Sequence, residues 1–181
     1  MQNKRGISQV FSSLSTQSQR PSSEELALRP ATVFDVFEAS EVLLASITQL
    51  CQLDHRDDPH LLAQWCANKT PEDIRGWILA GEGPTLAVSQ GKVLGVGLAT
   101  AQAKISLLYA APWGQGCGVG RALLQHLEAG LVTQGHTEAH LTATQSGLDF
   151  YLSQGWQRSG AATNCFGLPG QPMRKRLQVP L

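Results

Sequence analysis

The chain has 181 residues, a length that fits one domain, and 42% hydrophobic residues, which is enough to build a core. Its 14 basic and 14 acidic side chains cancel to a formal net charge of zero, so composition favours neither nucleic acid nor an acidic membrane as a partner. Four scattered cysteines without a CxxC pair argue against a disulfide framework, and no apolar run is long enough to span a bilayer, so we expect a soluble cytoplasmic protein.

The start of the chain is rich in Ser and Gln and contains neither an acidic residue nor a hydrophobic period. This composition predicts a disordered tail, residues 1–23, ahead of one domain that spans residues 24–181. An organellar transit peptide has a similar composition, basic and poor in acids, and it stays open as an alternative.

A strand and three helices are predicted in the first part of the domain. The strand lies around Leu28, and Thr32 with Asp35 three positions later resembles a capping box ahead of the first helix. After an acidic turn, two further helices are predicted to begin at proline residues, Pro59 and Pro71, because proline is favoured in the first turn of a helix.

Strand-like alternation replaces the helical period after these helices and predicts three antiparallel strands, "TLAVSQ", "VLGVGLATA" and "KISLLYA". A glycine-rich loop, a helix, the strand "EAHLTA" and the short helix "GLDFYLSQ" follow, and two closing strands are expected near 156–161 and 172–177. The predicted fold class is therefore α/β (α+β), a single domain in which helices flank one mixed, mostly antiparallel sheet.

Glycine occupies every second position from 114 to 120, in "GQGCGVG", between a predicted strand and a predicted helix. A phosphate loop of the NTPase type requires a Lys that is missing here, and no frame of the segment fits the GxGxxG pattern of dinucleotide-binding folds. The remaining interpretation is a tight loop that leads into a helix near Gly118, where unpaired amides bind an anion such as pyrophosphate. Glycine is expected there because a side chain would hold the anion away from the amides.

The segment "QGCGVG", Gln115–Gly120, resembles the Q/R-x-x-G-x-G/A signature of the GNAT superfamily of acyl-CoA-dependent N-acyltransferases. The preceding "LYAAP" is similar to that family's strand-to-loop transition, and "DFYLSQGW" resembles its later FYxxxGF element. The three elements follow in the family's order, and the resemblance covers about residues 26–177. It implies a single GNAT-like domain.

The resemblance implies that the cosubstrate is acetyl-CoA or another acyl-CoA; on residue spacing, no metal is expected. Its pantetheine arm is expected beside the fourth strand, and its pyrophosphate on the loop amides. The implied cofactor-binding residues are Leu108, Tyr109 and Ala110 on the strand, and Gln115, Gly116, Cys117, Gly118, Val119, Gly120 and Arg121 in the loop and the first helical turn. Without the resemblance, Leu108 and Tyr109 are ordinary core residues and Arg121 is a solvated helix residue.

The family's chemistry is direct attack of a neutral amine on the thioester, without a covalent enzyme intermediate. Tyr151 matches the position of the family's tyrosine acid, and a phenol with a pKa of about 10 can donate a proton to a departing thiolate. The amide of Leu108 is the implied hydrogen-bond donor to the thioester carbonyl. The alternative role for Tyr151 is a core aromatic paired with Phe150.

The chain departs from the family's pattern in positions that bear on catalysis. Thr144 stands where many members have an Asn that helps to hold the cofactor, and Gly147 stands where Ala is usual. Many members have a Glu on the fourth strand, where this chain has Lys104 and Ser106. The general base therefore stays unassigned, with four candidates that are each more typical of a surface or structural role: Asp54, His55, Asp57 and His140.

The predicted function is N-acetylation of a primary amine on a small molecule or a peptide. The family resemblance puts "CQLDHRDDPH", residues 51–60, beside the acceptor entrance, where Asp54, Asp57 and Asp58 are expected to attract a protonated amine. The alternative is a solvated turn in which Asp58 caps a helix. The missing Glu motivates a second candidate function, a non-catalytic acyl-CoA-binding regulatory module of the same fold. Monomer and homodimer both stay open.

Two other groups of residues are expected to have no binding role. Cys51, His55, His60 and Cys66 are of metal-ligand types, but their spacing fits no common zinc pattern. The cations of "MRKR", residues 173–176, are expected to protect a sheet edge rather than to bind nucleic acid.

Overall fold

The computed structural model describes residues 26–165 and 167–178. Its helices are α1 (Val36–Leu50), α2 (Gln52–His55), α3 (Pro59–Cys66), α4 (Pro71–Leu79), α5 (Val119–Thr133) and α6 (Leu148–Ser153). Its strands are β1 (Ala27–Pro30), β2 (Thr85–Ser89), β3 (Lys92–Ala99), β4 (Ile105–Ala110), β5 (Glu138–Ala143), β6 (Gln157–Arg158), β7 (Thr163–Cys165) and β8 (Leu168–Arg176). The predicted tail, residues 1–23, lies outside the described residues.

The first sheet has the order β1-β2-β3-β4, and each neighbouring pair is antiparallel. A tight turn joins β2 to β3 at Gln90 and Gly91, whose φ angles of 50° and 74° both lie in the left-handed region. Helices α1 and α4 cover one face through buried side chains that include Leu43, Ile74 and Val96. The predicted three-stranded meander is confirmed, with β1 added at its edge.

Helix α5 covers the other face of this sheet, and two glycines of β3 allow it to approach closely. A Cβ atom on Gly95 would lie 2.4 Å from Val119 Cγ1, and one on Gly97 would lie 3.0 Å from Leu127 Cδ1. Side chains at these positions would push the helix away from the strand, because a core at native density has no room for them. The two glycines therefore keep the N-terminus of α5 close to the sheet.

The second sheet contains β5, β8 and β6 in that order, and β7 also pairs with β8. The expectation that the cations of "MRKR" protect an edge is contradicted at Arg174, which pairs with β5 on one side and β6 on the other, whereas Lys175 and Arg176 pair with β5 alone. One of these cations, Lys175, lies 2.7 Å from Glu128 of α5, and the same carboxylate accepts a hydrogen bond from Trp156 Nε1 at 2.9 Å. This pair of contacts holds α5 on the second sheet.

The two sheets meet where β4 begins. Lys104 and His140 form an isolated parallel bridge, and the His140 amide donates to the Ala103 carbonyl at 2.9 Å. Beyond this point the described residues of β4 and β5 share no ladder, so the strands diverge and the sheet that the sequence predicted as one is divided in two. The free edge of β4 then faces a cleft.

Three local features differ from the predictions. Helix α2 occupies part of the predicted acidic turn and ends at Arg56, which has a left-handed φ of 49°. The Asp35 carboxylate accepts from the Thr32 amide at 2.7 Å, but α1 begins after Asp35, so the pair closes a turn rather than capping the helix. Strand β7 was not predicted, and the last strand begins at Leu168 because its first residues pair with β7.

Candidate active site

The cleft between β4 and β5 has a volume of about 700 Å³ and collects most of the predicted site residues. Tyr151 lines it, together with these predicted cofactor-binding residues: Leu108, Tyr109, Ala110, Gln115, Gly116, Gly118, Val119, Gly120 and Arg121. Cys117 is the exception. Its side chain packs against the apolar cluster under α5, and its amide lies 3.4 Å from the Gly114 carbonyl that accepts from it.

The loop before α5 presents a row of unpaired backbone amides. Ala122 is the first residue of the helix whose amide is bonded, to the Gly118 carbonyl at 3.0 Å. Within the described part of the chain, five amides ahead of it donate no hydrogen bond, those of Gly116, Gly118, Val119, Gly120 and Arg121. Unpaired N–H groups and the positive end of the helix dipole both attract an anion.

The glycines of this loop serve different purposes. A Cβ atom on Gly114 would lie 3.0 Å from the Leu94 carbonyl, so packing of the chain itself excludes a side chain there. Gly118 has a φ of 74°, and a Cβ atom on it would meet nothing within 4 Å. At Gly120, a Cβ atom would make ordinary contact with the Phe150 ring at 3.5 Å. Packing of the chain itself therefore accounts for Gly114, and the expectation that side chains at Gly116, Gly118 and Gly120 would hold an anion away from the amides stays a prediction.

A pyrophosphate fits the residues found here. Arg121 lies in the first turn of α5, is exposed and lines the cleft. Among the described residues it forms no ion pair, so its guanidinium is available to a phosphate beside the free amides. Open amides, a helix N-terminus and a free cation together form an anion site.

The edge of β4 offers main-chain hydrogen bonds to an extended ligand. The Ala111 amide donates to the Leu94 carbonyl of β3 at 2.8 Å. Because an antiparallel ladder alternates bonded and unbonded positions, the amides and carbonyls of Leu108 and Ala110 point away from β3. They face the cleft, since β5 has diverged. An amide-containing arm can pair with them as an added strand would.

Tyr151 projects from α6 into the same cleft. Its ring packs edge-on against Phe150 and Trp156, with centroids 5.2 and 6.1 Å away. Burial raises the pKa of the phenol, and its hydroxyl makes no hydrogen bond to the described residues. Tyr151 is only partly buried and lines the cleft, so its hydroxyl can donate to a ligand bound there.

The loop between β5 and α6 is held in place by a side chain from α2. The two oxygens of the Asp54 carboxylate accept from the Gln145 amide at 2.6 Å and the Ser146 amide at 3.1 Å. Thr144, which replaces the family's Asn, lines the cleft and accepts from the Gly147 amide through its hydroxyl at 3.3 Å. Asp54 therefore positions the start of α6 instead of facing an acceptor.

None of the candidate bases lines the cleft. His55 is fully buried, with Nε2 3.0 Å from the Ile47 carbonyl and Nδ1 accepting from the Asp57 amide at 3.0 Å. The carboxylate of Asp57 and the ring of His140 are exposed, and Asp58 caps α3. Asp54 and Asp58 are engaged in loop and helix capping and Asp57 faces solvent, and the expectation that these acids attract a protonated acceptor stays a prediction.

Sequence reasoning missed the wall of the cleft on the α1 side of β4. This wall is built by Ser46, Leu50, Cys51 and Trp65. Trp65 Nε1 donates to the Tyr109 hydroxyl at 3.0 Å, so Tyr109 contributes its side chain as well as its main chain. Small and apolar residues on helices carry no local signal that distinguishes a cleft wall from a core. The contact between Trp65 and Tyr109 depends on how distant segments fold together, so the sequence pattern does not reveal it.

A model of the acetyltransferase (GNAT) domain matches residues 61–177. The chain belongs to the GNAT acetyltransferase family. The match includes β4, the glycine loop and α6, and it supports acyl transfer as the general class of reaction for this GNAT chain. No curated protein matches the chain in sequence.

Solved GNAT structures have the same fold. A GCN5-related N-acetyltransferase from Rhodopseudomonas palustris has a TM-score of 0.74 and 24% identity over 83% of this chain and 95% of its own. The PaiA N-acetyltransferase of Thermoplasma acidophilum, solved in complex with coenzyme A, has a TM-score of 0.68 and 18% identity over 83% of this chain and 98% of its own. An N-acetyltransferase from Staphylococcus aureus Mu50 has a TM-score of 0.66 and 16% identity over 84% of this chain and 99% of its own.

Other kinds of site are not found in the residues that the structure describes. No three His, Cys, Asp or Glu side chains lie together in a way that could hold a metal ion. No helix in residues 26–165 and 167–178 has the length and apolar character needed to cross a membrane. A second cavity, of about 740 Å³, lies between α5 and β8 and contains none of the predicted site residues.

Proposed function

We propose that the chain is an N-acetyltransferase that moves an acetyl group from acetyl-CoA to a primary amine by direct attack. One observation carries the proposal. The unpaired amides at the start of α5 open into the same cleft as the unpaired hydroxyl of Tyr151. An anion-binding helix end and a neutral proton donor in one cleft suit a phosphate-tailed thioester better than a substrate without phosphates.

The chain's own groups have separate roles in holding acetyl-CoA. The amides of Gly118, Val119 and Gly120 bind the pyrophosphate, and Arg121 adds a positive charge. The main chain of Leu108 and Ala110 pairs with the pantetheine arm along the edge of β4. That a PaiA N-acetyltransferase of the same fold was solved with coenzyme A agrees with this arrangement.

Two groups of the chain act on the reacting atoms. The Leu108 amide donates a hydrogen bond to the thioester carbonyl oxygen, which gains negative charge as the amine attacks. The Tyr151 hydroxyl donates its proton to the departing sulfur. The raised pKa of Tyr151 keeps the phenol protonated until negative charge develops on that sulfur.

A second candidate function rests on one specific observation. The described residues that line the cleft contain neither a carboxylate nor an imidazole side chain. A protein of this family that only binds acyl-CoA, as a regulatory module, needs no group to deprotonate an amine. This alternative predicts acetyl-CoA binding without turnover.

Turnover of acetyl-CoA with a mixture of amines, measured as free thiol, distinguishes the two functions. The enzyme releases thiol only when acetyl-CoA and amine are both present, whereas the module binds acetyl-CoA and releases none. Tyr151→Phe is expected to lower kcat by about 100-fold and to leave acetyl-CoA affinity unchanged by calorimetry. A Tyr151→Phe enzyme with the wild-type kcat would return Tyr151 to a packing role.

A further inference from the structure

The cleft continues past the edge of β4 onto the α1 face of the sheet, opposite the face that α5 covers. Ser46, Cys51, Trp65 and the Tyr109 side chain form this part, which we call the α1 wall. The amine must reach the thioester from a side that acetyl-CoA leaves free. On the proposed function, on which this inference rests, the α1 wall is therefore the surface that meets the acceptor.

All the titratable groups of the α1 wall are uncharged near neutral pH. Burial raises the pKa of the Cys51 thiol to about 12 and also raises the pKa of the Tyr109 phenol. The Tyr109 hydroxyl accepts from Trp65 Nε1, which leaves its own proton free to donate. Tyr151 is near enough to Tyr109 and Cys51 for both to raise its pKa, so the three groups share one uncharged region.

The charged groups around this region are engaged elsewhere. Asp54 uses its oxygens on the Gln145 and Ser146 amides. Lys69 is buried beside Cys66 and Cys165, and burial lowers its pKa and raises those of the two thiols. Among the described residues that line the cleft, Arg121 carries the one charged side chain, and it lies at the glycine loop. Outside the described residues, the sequence has carboxylate side chains at Glu24 and Glu25.

The proton balance of the reaction decides which amine such a cleft can use. When an uncharged amine forms an amide, the nitrogen loses one proton and the sulfur gains one, so Tyr151 can give its proton to sulfur and recover one from the nitrogen. An ammonium brings one proton more, which must pass to a base. The described cleft contains no carboxylate or imidazole to accept it.

We propose that the acceptor is a weakly basic primary amine beside an apolar or aromatic group, and that the enzyme takes it already uncharged from solution. The α-amino group of a peptide and a small aromatic amine share this chemistry. Ammonium binding on the faces of Trp65 and Tyr109 is the competing arrangement. Such a contact contributes about 2 kcal/mol or more in a desolvated site, whereas removing an ammonium from water costs several kcal/mol.

The acceptor's own ionisation then controls the rate. At pH 7 an α-amino group with a pKa of about 7.7–8.0 is roughly 9–17% uncharged, and a lysine amine with a pKa of about 10.4 is about 0.04% uncharged. The greater nucleophilicity of the uncharged lysine amine offsets part of this difference. The expected kcat/KM at pH 7 is at least about 10-fold higher for the α-amine.

Three probes test the inference on the full chain. They are Phe-Ala-Gln amide, which has a free α-amine, acetyl-Phe-Ala-Lys amide, which has a lysine amine in the same context, and 4-methoxyaniline. Values of kcat/KM are measured as free thiol from about pH 6 to pH 9, and the rate without enzyme is subtracted. A higher kcat/KM for Phe-Ala-Gln amide identifies a peptide as the preferred source of the amine, and a higher kcat/KM for 4-methoxyaniline identifies a small aromatic amine.

The pH profiles should follow the acceptors. For the α-amine, kcat/KM should rise tenfold per pH unit and level off at about pH 8, for the lysine peptide it should still rise at about pH 9, and for the aniline it should stay level. A limb at about pH 6–7 that is shared by both peptides, or a preference for lysine at pH 7, overturns the inference and leaves the proposed function intact. Acetyl-CoA binding without thiol release from any probe overturns both.

Discussion

Asp54→Asn tests whether this carboxylate is structural, as the contacts indicate, or selects the acceptor. Asp54 joins α2 to the loop before α6 through two amide bonds, with a sequence separation of 91 and 92 residues. Asn keeps one carbonyl oxygen for one of the amides and turns an NH₂ group toward the other. The substitution thus removes one charge-assisted bond and weakens the second, while the size of the side chain is unchanged.

The size of the effect follows from these two bonds. A hydrogen bond to a charged group contributes about 1.5–3 kcal/mol, and partial exposure of Asp54 lets water replace some of what is lost. We expect a loss of about 2 kcal/mol in the free energy of unfolding. For a chain of this length that corresponds to a fall in Tm of about 4–8 °C.

Thermal and urea unfolding measure the loss, and Asp57→Asn is the matched control. Asp57 lies three residues away in the same segment, but its side chain is 73% exposed, and Asn tolerates its left-handed φ of 58°. The control should change Tm by less than about 2 °C. Equal Tm values for the two variants, or a raised KM for amines in both, would refute the structural role of Asp54.

Three further predictions concern packing and charge. Gly95→Ala should lower the free energy of unfolding by about 1–3 kcal/mol in urea, because its Cβ atom would lie 2.4 Å from Val119 Cγ1, whereas Gly76→Ala, with nothing within 4 Å, should not lower it. Glu128→Ala should be destabilising by about 2–4 kcal/mol, since it leaves Lys175 and the Trp156 N–H without their partner, and a value under about 0.5 would contradict this. Arg29 holds the pKa of Asp35 below its usual range, so the stabilisation from this pair is present above about pH 4 and is lost as pH falls below that value. Asp35→Asn should therefore reduce the loss of unfolding free energy on acidification. An unchanged pH dependence of stability below about pH 4 would argue against this role.

The parts of the molecule that sequence predicts well are those with a local cause. Alternation of apolar and polar residues predicts the β2–β4 meander. The glycine loop is predicted because it interrupts both the strand and the helix pattern, and its Gly118 has a left-handed φ that only glycine adopts readily. Helices α3 and α4 begin where predicted because Asp58 and Thr70 bond the first amides of each helix. Such signals depend on neighbours a few residues apart.

The features that sequence missed depend on contacts between distant segments. The role of Asp54 requires that α2 meet the loop after β5, and no local pattern carries that information. The interior position of β8 is a matter of strand order, which alternation of side chains does not encode. Ser46 and Trp65 line a cleft because β4 and β5 diverge, and on their own helices they are ordinary buried positions.

Calorimetric titration of acetyl-CoA into the wild-type chain and the Gly118→Asp variant tests the central claim, that the cleft binds acetyl-CoA through the start of α5. Gly135→Asp is the control, since Gly135 has a left-handed φ of 90° and open space at the other end of the same helix. Loss of two amide contacts predicts an affinity for Gly118→Asp that is lower by about 100-fold or more, with Gly135→Asp binding as the wild type does. Equal affinity of wild type and Gly118→Asp, or no binding of acetyl-CoA to the wild type, would contradict the account.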